Sequence, residues 1–290
     1  MDPTNRSRNH LKSRILFALL YPLLGVAALC LGGPGFALAV AVAIIPFHLL
    51  SLKTSSVLIT RKFQGHELTS KQAPKLKRIL RTLSERAHLE HRPLLFMVPG
   101  DAISAFSVGS RSRPAIALSH GLLENLDTRE LAGVLAHEVT HLSQGDPLVM
   151  VLSGLLRRVI GVMAVLAGLF VAMNLPMFLL GREAFEVLPL LVLLVAPSLG
   201  SLLLFALSRC IEFSADRGAA ELLGDPEPLA SALKKMGTSH KVPWWQRLFP
   251  GGGKSAQPLL RTHPTARERI QRLRGLRISS PFSCDPLFQD

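Results

Sequence analysis

The stretch Asp127-Thr-Arg-Glu130-Leu131-Ala-Gly-Val-Leu-Ala-His137-Glu138-Val-Thr-His141-Leu-Ser143 decides how the rest of the chain is read. Asp127 followed by Glu130 is a capping box, in which each side chain satisfies the other residue's backbone N–H, so a helix opens at Thr128 and runs to Ser143. Inside it lies H-E-x-x-H. Positions i and i+4 share one helix face, so His137 and His141 can present two imidazoles to one Zn²⁺. Glu138, next to the first histidine, can reach water held by such a metal and act as general base. With 10 His and 12 Glu among 290 residues, chance produces this pattern on the order of 1% of the time, so the remainder of a site has to be sought in the chain.

A third ligand does not follow directly. In the extended motif H-E-x-x-H-x-x-G-x-x-H, Gly and His are required where Gln144 and Pro147 stand. Far downstream, Ser208-Arg-Cys-Ile-Glu212-Phe-Ser-Ala-Asp216-Arg again sets two acidic residues at i and i+4. Glu212 can supply the third ligand, and Asp216 can grip the outer N–H of a ligand histidine, the usual support of a catalytic zinc. Taken alone, the pair also fits a solvated acidic face with salt bridges to Arg209 or Arg217. The H-E-x-x-H stretch tips it toward the metal.

Between these two stretches the chain turns apolar. It is 48% hydrophobic and only 18% charged, with a mean hydropathy of +0.33, yet it carries a net charge of +13. That excludes disorder, and three scattered cysteines exclude a disulfide scaffold. The charge is unevenly placed. Residues 1–14 carry four cations and one anion, and residues 15–50 carry none. Residues 51–146 carry 13 cations and 9 anions, and residues 209–290 carry 13 and 8. Ile15–Leu31 and Phe36–Leu52, separated by Gly32-Gly33-Pro34-Gly35, read as a membrane hairpin. Val159–Leu180 and Val187–Leu207 read as a second, with Arg157-Arg158 at its water interface and Pro197 kinking the last span. Lys and Arg flank the same side of all four spans, which puts both termini and both charged blocks in the cytoplasm. The basic balance is therefore a topology signal facing anionic lipid, and no recognition motif or aromatic platform points to nucleic acid.

The order of these features resembles the HtpX-type membrane zinc metalloproteases, a family that also contains the CAAX prenyl proteases. H-E-V-T-H precedes the third apolar segment and E-F-S-A-D follows the fourth. Ser104-Ala105-Phe106-Ser107-Val108-Gly109 corresponds to a family segment usually reading N-A-F-A-T-G, and Thr262-His263-Pro264 with Arg269-Ile270 to its H-P-P…R-I segment. The resemblance implies one Zn²⁺ on His137, His141 and Glu212, Glu138 as base, Asp216 orienting a ligand histidine, and His263 near the tetrahedral oxyanion. It implies proteolysis of misfolded or damaged membrane proteins, a quality-control and stress function, at the bacterial cytoplasmic membrane. Two departures stand out: Ser104 replaces the usual Asn, and Thr265 the second Pro.

Pro93–Ser119 reads as three strands, Leu94–Val98, Ser104–Gly109 and Ala115–Ser119. The middle one is expected as an edge strand that binds extended substrate through its main chain. Pro74–His91 has helical spacing and a basic face, and is expected to pack on the H-E-x-x-H helix. His240–Pro258, with Trp244-Trp245 and three glycines, reads as a loop over the site or against the membrane interface. The basic row Arg267, Arg269, Arg272, Arg274 and Arg277 reads as a cytosolic face beside lipid.

The expected fold is α+β, mainly helical, with four transmembrane helices and a cytosolic zincin-like domain carrying a small β-sheet. Its parts are a tail (1–14), a transmembrane hairpin (15–52), the first catalytic part (53–147), a helix extension with the second hairpin (148–207), and the second catalytic part (208–290). Expected partners are unfolded or membrane-protein substrates and the lipid bilayer, with no nucleic acid. Two alternatives stay open in the sequence, a CAAX-type prenylpeptide protease and a non-cleaving zinc-stabilised scaffold.

Overall fold

Apolar and charged segments separate in space as they do along the chain. The computed structural model describes residues 3–51, 64–109, 112–181, 187–238 and 264–278, together with Phe282 and Leu287. Its helices are α1 (Pro3–Ser51), α2 (Pro74–Arg86), α3 (His120–Asn125), α4 (Thr128–Gln144), α5 (Asp146–Leu179), α6 (Val187–Leu223), α7 (Glu227–Thr238) and α8 (Ala266–Arg274). Its strands are β1 (His66–Glu67), β2 (Leu94–Val98), β3 (Ala105–Val108) and β4 (Ala115–Ser119).

Three described helical stretches are long and apolar enough to cross a membrane: Ala18–Val42, Val149–Met173 and Leu191–Leu223. The break expected at Gly32–Gly35 falls at Gly32 and Gly33, inside the first of these. Gly33 has φ +69, a left-handed conformation that glycine adopts without a Cβ clash. Arg157 and Arg158 do not interrupt α5, and the Arg157 guanidinium lies 5.3 Å from the centre of the Phe205 ring on α6. Pro176 and Pro197 are accommodated inside continuous helices.

The three long helices share a buried seam of Leu20, Leu24 and Ala28 from α1, Leu156, Ile160 and Met163 from α5, and Ala196 and Leu204 from α6. Gly200 lets them close up, since a Cβ there would lie 3.0 Å from Ile160 Cδ1. Their outer faces expose Leu19, Val26, Val165, Leu169, Leu194 and Leu202. A belt of this size around a helical bundle marks a surface made for lipid.

The second core belongs to the charged segments. Ile79, Leu80 and Leu83 of α2 pack with Leu135, Ala136 and Val139 of α4, Ala219 and Leu223 at the end of α6, and Leu229 and Leu233 of α7. Helix α6 thus begins in the apolar bundle and ends in this core. The sheet has the order β1-β2-β4-β3. β2 runs parallel to β4, with Leu95 opposite Ile116, and β3 runs antiparallel to β4, with Phe106 opposite Ala117. β4 is wholly buried at the centre, and β3 is the edge strand beside α4. The two-residue β1, antiparallel to β2, is too short for any alternation to announce it.

Helix α4 is fastened at its start as its sequence implies. Asp127 accepts from the Glu130 N–H, and Glu130 accepts from the Asp127 N–H, both at 2.9 Å. The buried Glu130 carboxylate also receives Lys235 Nζ at 2.6 Å and the Ser231 hydroxyl at 2.7 Å, joining α4 to α7. Burial opposes its charge, but these donors outweigh it and hold the carboxyl below the usual range. A depressed carboxyl stabilises the fold above its unfolded pKa of about 4.3 and loses that contribution as pH falls through the folded value. Glu130→Gln is therefore expected to destabilise by about 2 kcal/mol at pH 7, with the difference from wild type narrowing as pH falls below about 4.3; melting curves in detergent measure it. At the same interface a Cβ on Gly133 would meet Leu229 N at 2.6 Å. Gly133→Ala should cost about 1–3 kcal/mol through forced separation of α4 and α7, read as a lower melting temperature.

Candidate metal centre

The helical register of α4 turns His137, Glu138 and His141 toward the end of α6, and all three are buried. The two histidine Nε2 atoms lie 3.0 Å apart. Glu212 Oε2 is 3.6 Å from His137 Nε2. Among the described residues, His137, His141 and Glu212 form a group whose ligand atoms all lie within 4.8 Å of one another. Two imidazole nitrogens and a carboxylate oxygen converging on one point form a donor set that fits a divalent metal ion.

The outer nitrogens are also held. Asp216 Oδ1 is 3.2 Å from His137 Nδ1, one helical turn beyond Glu212 on α6. Burial and the nearby Arg269 charge oppose a proton on His137, but hydrogen bonds to Asp216 and Glu212 prevail and push its pKa up to about 9. The same carboxylates favour a dication in place of that proton, so metal uptake at neutral pH releases protons.

Two residues in this cluster carry no role in the sequence reading. The first is Arg269, expected among solvent-facing cations on a basic row. Its side chain is instead turned in against the site and mostly covered, donating from Nε to Asp216 Oδ2 at 2.9 Å and from Nη2 to Oδ1 at 2.5 Å, with Nη1 3.0 Å from Glu212 Oε2. Burial works against its charge, yet Glu212 and Asp216, with Glu138 behind them, hold the guanidinium firmly protonated. Other members of the row are also engaged: Arg274 pairs with Glu227, and Arg272 stacks 3.9 Å over the Phe213 ring. The clue available in the sequence was the pairing of Arg269 with Ile270 after His-Pro, since one apolar neighbour marks the inward face of a short helix.

The second is Asp146, whose Oδ2 lies 2.8 Å from His141 Nδ1. Gly145, in the left-handed conformation at φ +75, ends α4 and lets α5 begin at once with Asp146 folded back on the histidine. The Gly-Asp directly after the last turn of α4 is the sequence signal for it.

Ser104 is buried; its N–H donates to the Ser119 hydroxyl at 3.0 Å, and that hydroxyl donates to the Ala102 carbonyl at 2.6 Å. Ala105, Phe106, Ser107 and Val108 form β3, one residue shorter at each end than Ser104–Gly109, and Gly109 follows it with φ +100. His263 and the segment 240–258 lie outside the described residues.

Removing the guanidinium leaves two buried carboxylates, Glu212 and Asp216, without the cation that bridges them. Arg269→Met should cost about 3 kcal/mol in melting experiments. Arg269→Lys should recover little, because one ammonium cannot fork across two carboxylates.

Peptidase family M48 matches residues 70–277, a region that contains every residue of this centre. The chain is 32% identical over 282 residues to "Protease HtpX homolog" of Methylibium petroleiphilum, covering 92% of this chain and 98% of that protein. It is 32% identical over 279 residues to the protein of the same description from Paraburkholderia phytofirmans, covering 91% and 96%. A crystal structure of S. mikatae Ste24p aligns with a TM-score of 0.49 and 18% identity, over 93% of this chain and 66% of the length of that one. With a metal-ligating cluster inside the matched region and apolar helices beside it, the chain belongs to peptidase family M48 and is a membrane metalloprotease.

Proposed function

We propose that the protein is a zinc endopeptidase of the bacterial cytoplasmic membrane, with four spans and with both termini and the active site on the cytoplasmic side. Its substrates are misfolded or damaged membrane proteins and unfolded polypeptides, removed as part of quality control under stress. The meeting of His137, His141 and Glu212 at one point, with Glu138 buried alongside, carries the reading. Two imidazoles and one carboxylate are the ligand set of hydrolytic zinc sites that keep a fourth position open. When bound, zinc polarises the scissile carbonyl and makes water nucleophilic at neutral pH.

The chain's own groups do the rest. Glu138 takes a proton from the attacking water and passes it to the leaving amine. Asp216 holds His137 through Nδ1, and Arg269 ties Asp216 to Glu212. His263 is assigned to the developing oxyanion on the strength of the family resemblance. Helix α8 starts three residues later and carries Arg269 into the site, which supports that assignment. β3, with the residues Ser104 to Gly109 around it, pairs with an extended substrate main chain. Such pairing reads no side chain and suits a protease that must accept many sequences.

The topology rests on the Lys and Arg bias of the segments flanking the apolar runs and on the exposed apolar belt. A scaffold needs metal ligands but no base, so the intact Glu138 argues for cleavage. Glu138→Gln should lose about 10²- to 10⁴-fold of casein cleavage in detergent while still binding zinc. A chelator should abolish wild-type activity and added Zn²⁺ restore it. Equal cleavage by wild type and Glu138→Gln would overturn the mechanism.

A further inference from the structure

The two metal-facing histidines are each gripped at Nδ1 by a carboxylate, and the two carboxylates are not in the same electrostatic situation. Asp216 shares its charge with Arg269 through two hydrogen bonds, of 2.9 Å and 2.5 Å. Asp146 is also buried, and among the described residues its only ion pair is with His141, at 2.8 Å. It sits in the first turn of α5. Its undiminished charge is therefore directed at one imidazole. Carboxylates placed this way fix the tautomer of a ligand histidine and raise its basicity.

We propose that Asp146 is the positioning residue of His141. Its carboxylate keeps the proton on Nδ1, aims Nε2 at the point shared with His137 and Glu212, and sets the affinity for a divalent cation more strongly than Asp216 does. The inference rests on the metal reading of the site. A bland alternative is that Asp146 only starts α5. The two differ at Asp146→Asn, because asparagine keeps the size of the side chain and an acceptor oxygen at the helix start, but it carries no charge to strengthen the imidazole.

The test uses the full-length protein in detergent, stripped of metal and titrated with Zn²⁺ against a chromophoric chelator. Asp146→Asn is expected to bind about 10- to 100-fold more weakly than wild type, and to lose more than Asp216→Asn. Asp146→Glu, which retains the charge, should recover part of the loss, and saturating Zn²⁺ should return most of the casein-cleaving activity to Asp146→Asn. Binding by Asp146→Asn within about threefold of wild type, or a larger loss in Asp216→Asn, would overturn the proposal. So would collapse of the helical circular dichroism in every Asp146 variant, which would make the residue a folding element. His137→Ala should bind no Zn²⁺ in the site. If wild type itself bound none, the metal reading would fall, and the Asp146 outcome alone would not have caused it.

Discussion

Glu138, Glu212, Asp216 and Asp146 lie buried in one cluster at the junction of α4, α5 and α6, and the guanidinium of Arg269 is seated between Glu212 and Asp216. Like charges at that density drive a fold apart unless a cation is seated among them. The chain meets the need in two steps. Arg269 ties Glu212 to Asp216, and the remaining negative potential converges where the Nε2 atoms of His137 and His141 meet. The unfavourable gathering of carboxylates and the attraction for a divalent metal are one electrostatic fact.

The scaffold around the cluster can be understood as the means of holding it. Four elements contribute: α4 with the histidines and Glu138, the start of α5 with Asp146, the end of α6 with its two carboxylates, and α8 with the arginine. α4 is pinned at its N-terminus by Asp127, Glu130 and Lys235, and closed at its C-terminus by Gly145. Both α5 and α6 run out of the site directly into the apolar bundle, so Asp146, Glu212 and Asp216 are mounted on the ends of membrane helices without an intervening linker.

Periodicity and local chemistry made much of this visible in the sequence. The capping box, the i, i+4 pairs at His137/His141 and Glu212/Asp216, and the strands Leu94–Val98 and Ala115–Ser119 all depend on interactions a few residues long. What escaped depends on partners distant in sequence or on a turn. Arg269 stands in a row of similar arginines, and what chiefly distinguishes it is a pair of carboxylates far back in the sequence on α6, Glu212 and Asp216. Asp146 was hidden because its contact requires the left-handed turn at Gly145 and lies outside the helix that carries the motif. The break at Gly32 and Gly33 was legible from composition, whereas the number of crossings depends on how helical segments sit in a bilayer and is not a property of any local pattern.

The unbroken course of α6 from Val187 to Leu223 has a further consequence. Its lipid-facing side chains, including Leu194, Leu199 and Leu202, and the pair it turns to the histidines, Glu212 and Asp216, are tied together by one continuous helical phase. Each residue of an α-helix advances that phase by about 100°. Inserting or deleting one residue between Leu202 and Glu212 would swing the carboxylate away from the histidines or turn the apolar stripe out of the bilayer. The length of this segment can therefore change in evolution only by near-whole turns, three or four residues together, or not at all. Membrane thickness and active-site geometry are inherited as a single quantity.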